Sequence, residues 1–226
     1  MEWTDLGNPC PRITPEHYTP ISWPDGKKTQ LPVPDISIAN QVPFAQLANT
    51  RRSGREFSEL GVEQLSSLMW MTCKTQQLGS DDLGFPISRR PCPSAGAIHP
   101  IHLLIVPPDG TTWYRYDSLD HAIVTVPSRA SAVSCVDGMH AVLSAPSATL
   151  LLLAAEPGMT EAKYQDADSL IWRDAGVLIG YLSMAAHALG LNFCPLGVTG
   201  EPWVNQLIDQ PGLAGVGAAF VGSRPL

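Results

Sequence analysis

Asp174-Ala-Gly-Val-Leu-Ile-Gly-Tyr-Leu-Ser-Met-Ala-Ala-His-Ala-Leu189, followed by Gly190, is the most strongly patterned stretch of the chain. Ala175, Leu178, Leu182, Ala185, Ala186 and Leu189 fall on one helical stripe, so the segment predicts an amphipathic helix with one buried face. Gly190 suits the left-handed position that stops a helix. The flanking sequence changes period. Ala148 to Ala155 is the longest apolar run, far too short to cross a bilayer, and reads as a buried strand over Thr149–Ala155. Ile101–Val106, Trp113–Asp117, Ala122–Val126 and a closing Gly215–Val221 also read as strands, and Pro107-Pro108-Asp109-Gly110 as a hairpin turn. Val62, Leu65, Met69 and Cys73 predict a second helix near 61–75, and 76–96, rich in Gly, Pro and Ser, a loop. Strands and helices do not alternate regularly, which favours an α+β fold over a doubly wound one.

Before this body comes a different texture. Pro9, Pro11, Pro15, Pro20, Pro24, Pro32, Pro34 and Pro43 forbid regular helix, yet Trp3, Tyr18, Ile21, Trp23 and Phe44 are interspersed. Residues 1–44 are therefore expected to form an extended arm packed on the body or on a second subunit, with 45–226 as the main domain. Of the 226 residues 44% are hydrophobic and 15% charged, enough for a sizeable core and against disorder. The net charge of −7 and the lack of a Lys/Arg run argue against nucleic acid as a partner. No apolar span implies a membrane, and Met1-Glu2-Trp3-Thr4-Asp5 lacks signal-peptide character, so the cytoplasm is the expected location. Five cysteines at irregular spacing suit reduced thiols.

Four segments carry candidate chemistry. Arg51-Arg52-Ser53-Gly54-Arg55 places three guanidiniums and a hydroxyl where they can bracket a phosphate, although composition alone favours a solvated basic turn. Pro93-Ser94-Ala95-Gly96-Ala97, after Arg89-Arg90, would let backbone approach a flat ligand closely; an ordinary loop explains it equally well. The segment from Gly190 to Gly197, read as a turn leaving the long helix, contains Pro195, Leu196 and Gly197, where a backbone N–H could face a ligand edge. Lys163-Tyr164 pairs a cation with a phenol, groups that move protons when burial or charge tunes them; a surface Lys beside a half-buried Tyr is the default. His99-Pro100-Ile101-His102 lacks the spacing and supporting ligands of a metal site, and no GxSxG elbow supports a hydrolase. His121 and His140 read as structural or solvent-facing, and Asp166 and Asp168 as solvated.

Taken in order, RRSGREF, the helix ending LMWMTCK, RRPCPSAGAIHP, WYRYDSLDHAI, KY and DAGVLIGYLSMAAHALGLNFCPLG resemble the nitroreductase superfamily, nearest the SagB-type azoline dehydrogenases. The resemblance runs from about Ala45 to Val221. It implies a dimeric α+β fold with a mixed or antiparallel sheet flanked by helices, and FMN as cofactor. Arg51, Arg52, Ser53 and Arg55 would hold the phosphate and ribityl chain, with Arg224 as the last basic candidate. Pro93, Ser94, Ala95, Gly96 and Ala97 would line the isoalloxazine, typically from the opposing subunit, and Pro195, Leu196 and Gly197 would flank the flavin near N5. Lys163 and Tyr164 match the pair that azoline dehydrogenases use in proton abstraction. Asp174 stands where the family often has Glu, and Val177 where it commonly has His. The implied activity is oxidation of thiazolines or oxazolines in a peptide or related natural product, with a cyclodehydratase as a possible partner. The alternatives are an NAD(P)H-dependent nitroreductase or quinone reductase, and an inactive flavin-fold scaffold in a biosynthetic complex.

Overall fold

All seven residues of Thr149–Ala155 are buried, as expected of a Leu-rich strand covered on both faces. The computed structural model that shows this describes residues 4–37 and 39–225; Trp3, one of the aromatics expected to seat the arm, lies outside them. In chain order the elements are β1 (Cys10–Pro11), β2 (Lys28–Gln30), α1 (Phe44–Thr50), α2 (Val62–Thr72), β3 (Gln77–Leu78), β4 (Ser88–Arg89), β5 (Ile101–Val106), β6 (Tyr114–Asp117), β7 (Ala122–Thr125), α3 (Ala132–His140), β8 (Thr149–Ala155), α4 (Pro157–Glu161), β9 (Tyr164–Gln165), α5 (Asp168–Ala188), β10 (Leu191–Leu196) and β11 (Ala214–Ser223). The fold is α+β, with a seven-stranded antiparallel sheet in the order β10-β11-β8-β5-β6-β7-β2.

Strand alternation sorts β8 into two cores. Leu151, Leu153 and Ala155 join Leu65, Leu68 and Met69 of α2 and Leu178, Leu182 and Ala186 of α5. Leu150, Leu152 and Ala154 join Cys135, Val136 and Met139 of α3, with Val204, Leu207 and Leu213. Helices thus cover both faces, and each buried Leu contributes ~1.5–3 kcal/mol. Among the described residues no helix is long and apolar enough to cross a membrane.

The structure differs from the sequence reading at several elements, α1, α3 and α4 among them. α5 begins at Asp168, six residues before Asp174, because its first turns contribute little to the buried stripe: Trp172 and Arg173 are exposed. Most of the stretch 190–197 is β10 (Leu191–Leu196), an edge strand of the sheet; Pro195 is tolerated there because an edge needs no second ladder. The loop 76–96 contains the short β3–β4 ladder.

The N-terminal segment is tied in at several points. β2 forms the edge opposite β10, β1 pairs with β9, and the Leu31 N–H donates to the His121 carbonyl at 3.0 Å. His121 itself is buried and structural. Ser66 donates to the Pro32 carbonyl, so His121 Nε2 donates to Ser66 Oγ (2.8 Å) and Nδ1 accepts from the Tyr116 hydroxyl (2.7 Å). No nucleophilic lone pair is activated by that arrangement.

Candidate active site

The basic motif lies between α1 and α2, beside the C-terminal end of α5. Gly54 is required there by contact: a Cβ would sit 2.4 Å from the Asn192 side chain, which donates to the Glu56 carbonyl at 2.7 Å. Ser58 and Ser223 exchange backbone hydrogen bonds of 2.9 Å, bringing Arg224 to the same end of the sheet. Arg224 reaches His187, and Arg51 and Arg52 lie close enough to act on it by charge. The Thr50 hydroxyl donates to the Gln46 carbonyl (2.8 Å), so His187 Nε2–H donates to Thr50 Oγ1 (3.0 Å), and Nδ1 faces Arg224 Nη2 at 3.4 Å. Burial first, then Arg224, Arg51 and Arg52, hold the His187 pKa below its ordinary value. Among the described residues, Arg51, Arg52, Arg55 and Arg224 have no ion-pair partner. Ser53 and Arg55 are exposed in the same turn. Guanidiniums gathered without a carboxylate suit a phosphate in charge and donor geometry.

The second group gathers around the 93–97 loop. Asp174, on α5, accepts from Ser94 Oγ and from the Ala95 N–H at 3.1 and 3.2 Å, and Ser94 Oγ accepts from the His99 N–H at 3.0 Å. Pro93 is exposed and begins the loop. Gly96, Ala97 and His99 have φ of 63°, 58° and 53°, a concentration of left-handed backbone that strains the two non-glycine residues. A Cβ on Gly96 would lie 2.9 Å from Tyr164 Oη and 3.1 Å from Lys163 Nζ. The ends of both side chains therefore rest on the one residue of the loop with space for them. Behind the loop, Arg90 donates from Nε to Ser88 Oγ at 3.1 Å. Burial, then Arg90, pushes the His99 pKa down to about 4, while its Nε2 donates to the Ser88 carbonyl at 2.9 Å. His102 pairs instead with Glu156, so the two histidines of that motif serve separate partners.

Pro195 and Leu196 end β10, and Gly197 follows in open space, with no atom within 4 Å of where a Cβ would stand. The two main groups lie far apart within one chain. Asp174 and His187 are 13 residues apart (187 − 174) on α5, and at 1.5 Å per residue the loop and the arginine cluster are separated by about 20 Å. Sequence reading had the motifs but not this arrangement. It passed over Asp174 as a bond partner of the loop, His187 as the focus of the arginines, and Glu156 altogether.

The chain thus sets an arginine cluster without ion-pair partners and a loop of small residues near opposite ends of one helix on a seven-stranded antiparallel sheet. The Nitroreductase family model matches residues 48–222, and the chain belongs to that family. Solved structures agree on the fold. A protein of Ralstonia eutropha JMP134 assigned as a nitroreductase aligns with a TM-score of 0.69 at 21% identity, covering 97% of this chain and 98% of that one. An Anabaena variabilis ATCC 29413 protein, also assigned as a nitroreductase, gives a TM-score of 0.59 at 15% identity over 93% of this chain and 40% of that one. The Escherichia coli microcin synthetase McbBCD complex, solved with truncated pro-MccB17 bound, contains a chain matching with a TM-score of 0.57 at 18% identity, covering 82% of this chain and 74% of that one. No curated protein sequence matches significantly.

Proposed function

We propose that the protein is an FMN-dependent dehydrogenase that oxidises azoline rings in a peptide or related natural-product intermediate. The observation that carries this reading is the placement of Lys163 Nζ and Tyr164 Oη against Gly96 in the small-residue loop. Passing hydride to an acceptor needs no dedicated base, whereas aromatising an azoline requires removal of a carbon-bound proton. Bound FMN would supply a two-electron acceptor. Lys163, as the neutral amine, would take the proton from the ring carbon and become ammonium, and Tyr164, whose ring lies 5.9 Å from Lys163 Nζ, would relay it or steady the developing charge. Asp174 holds the loop against which the substrate ring would lie.

FMN is favoured over a dinucleotide because Arg51, Arg52 and Arg224 form one cluster suited to one terminal phosphate, joined by Ser53 and Arg55 from the same turn. Pro195, Leu196 and Gly197 would lie along the flavin, where Gly197 leaves open space. The separation of about 20 Å between cluster and loop is the argument for a homodimer. In a two-fold pair with antiparallel α5 helices, each cluster would meet the partner's loop, and the same patch would face itself. The exposed face of α5 suits that contact. Trp172, Val177 and Tyr181 are exposed there, Gly176 and Gly180 have nothing within 4 Å, and a groove of about 460 Å³ runs between Phe44, Leu47 and Tyr181. An azoline arises by loss of water from a Cys, Ser or Thr side chain and its neighbouring amide, so a cyclodehydratase is the partner that would supply substrate.

Lys163→Ala and Tyr164→Phe should each lower azoline-peptide oxidation by ~100–10,000-fold, with FMN content and dithionite reduction unchanged. Wild-type rates in both variants would place the base elsewhere. A wild-type enzyme that ignores azolines but turns over NADPH with a nitroaromatic would establish the reductase alternative. Colourless protein that cannot be reconstituted with FMN would establish the scaffold.

A further inference from the structure

Glu156 is fully buried and takes no part in the chemistry proposed above. Its carboxylate accepts from the Ile21 N–H and His102 Nε2, both at 2.7 Å, and the Tyr18 side chain also favours its charged form. Burial alone would raise its pKa, but these donors outweigh burial and hold it below the ordinary glutamate value. Ile21 and Tyr18 both belong to the N-terminal segment. The Glu156 N–H, in turn, donates to the Pro100 carbonyl at 2.8 Å, just past the 93–97 loop. One residue therefore joins three parts: the N-terminal segment, the end of that loop, and the start of α4.

From Glu156 onward the N-terminal segment follows the chain as far as Lys163 and Tyr164. The Tyr18 ring closes over Gly158, where a Cβ would fall 2.3 Å from it. Glu16 N–H donates to the Ala162 carbonyl (2.8 Å), Arg12 Nε to Glu161 (2.7 Å) and Arg12 N–H to Lys163 (2.9 Å). Pro11 then pairs with Tyr164 and Cys10 with Gln165. Three successive carbonyls, 161 to 163, are thus bound by residues of the N-terminal segment.

We propose that Glu156 is a positioning residue for Lys163 and Tyr164. By holding Tyr18 and Ile21 it seats the N-terminal segment against α4 and β9, and that seating aims the two side chains at Gly96. The inference rests on reading Lys163 and Tyr164 as the proton-handling pair, but the geometry it asserts is measurable without turnover.

The test compares Glu156→Gln, Glu156→Asp and the milder Tyr18→Phe in the full-length FMN-loaded protein. Gln keeps the volume but turns an acceptor into a donor facing other donors. Glu156→Gln should lower kcat by about 10–100-fold, as expected for a displaced catalytic group, with KM and flavin content nearly unchanged. Glu156→Asp should restore part of the rate, and Tyr18→Phe should show a smaller loss of the same kind. Hydrogen exchange at Arg12, Glu16 and Ile21 should accelerate while β8 stays protected. Acylation of Lys163 by acetic anhydride, read by peptide mass spectrometry, should change severalfold in rate. Unchanged kcat, or a lower kcat with unaltered exchange and Lys163 acylation, overturns the proposal. If the wild type oxidises no azoline, the proposed reaction fails, and exchange and acylation alone decide the positioning. If Glu156→Gln does not fold, Tyr18→Phe decides by the same three readouts.

Discussion

At the C-terminal end of α5, Arg224 faces His187 and the charges of Arg51 and Arg52 also act on it, with no ion-pair partner for any of the three among the described residues. Near its N-terminal end, Asp174 is bound by Ser94 and Ala95, and Lys163 and Tyr164 close on Gly96. The first arrangement is electrostatically incomplete, since like charges held together cost stability until an anion joins them. The second is held by hydrogen bonds among Asp174, Ser94, Ala95 and His99 and concentrates its strain in backbone shape. One helix thus separates a cluster of unpaired guanidiniums from a loop held by its own hydrogen bonds.

The sharpest way to break this comparison is to remove the unneutralised charge. Arg51→Ala combined with Arg224→Ala should cost ~1.5–3 kcal/mol for each charge-assisted bond, a fall in FMN affinity of ~100–10,000-fold in a fluorescence titration. The fold should persist, because neither side chain forms an ion pair among the described residues. Mixing this variant with Lys163→Ala tests the shared site. A two-fold dimer with cross-subunit sites should recover about a quarter of wild-type activity, as half of the dimers are mixed and each has one intact site. Stoichiometric flavin in the double variant would remove the arginines from the phosphate role. No recovery on mixing, with exchange of subunits verified, would confine the site to one chain.

How far each region can be read in the sequence follows from the forces that shape it. β8, β5, α2 and the latter part of α5 were legible because burial against both cores imposes a regular apolar period. α1 was not, since none of its residues is buried, and α3 relies on Ala132, Cys135, Val136 and Met139, a weak stripe. β10 was hidden by Pro195. Within the candidate site, the short motifs at 51–55, 93–97 and 163–164 are weak one by one, and stand out only through their order along the chain. The meeting of Arg224 with Arg51 depends on the Ser58–Ser223 pairing, and the bond from Asp174 to the loop depends on how α5 packs. Contacts of that kind leave no local pattern. Asp174, a departure from the family's usual Glu, turns out to be the residue that anchors the loop.

A smaller change probes the organised end. Gly96→Ala puts a Cβ on left-handed backbone, at a cost of ~1–2 kcal/mol, and drives it against Lys163 and Tyr164. The azoline rate should fall by about 10–100-fold through misplacement, while the oligomeric state is preserved. Gly197→Ala is the matched control. No atom lies within 4 Å of its Cβ position and its φ is not left-handed, so its melting temperature should equal that of the wild type. Equal rates in wild type and Gly96→Ala would mean that the Lys163–Tyr164 contact with the loop has no role in turnover.

The smallest effect separates the two ends by their histidines. His99 is held neutral by burial and Arg90, with a pKa of about 4. Its folded value lies below the unfolded value near 6.5, so its contribution to stability is present above pH ~6.5 and is lost as pH falls towards 4. His187 is lowered by burial and by the three arginines, one of which faces its Nδ1. A phosphate bound among those arginines would offset their repulsion and favour imidazolium, and protonation at Nδ1 would turn that nitrogen into a donor towards the anion. Titration of the ring resonances by NMR, without and with saturating FMN, should show the His187 pKa rising and His99 unmoved. By linkage, FMN binding near the His187 pKa should take up a fraction of a proton, visible in calorimetry as a dependence of the binding heat on the buffer's ionisation enthalpy. If both histidines move together, binding reorganises the loop as well as the arginine cluster. If His187 stays fixed while FMN binds tightly, the phosphate lies outside the cluster, and the division of labour along α5 does not hold.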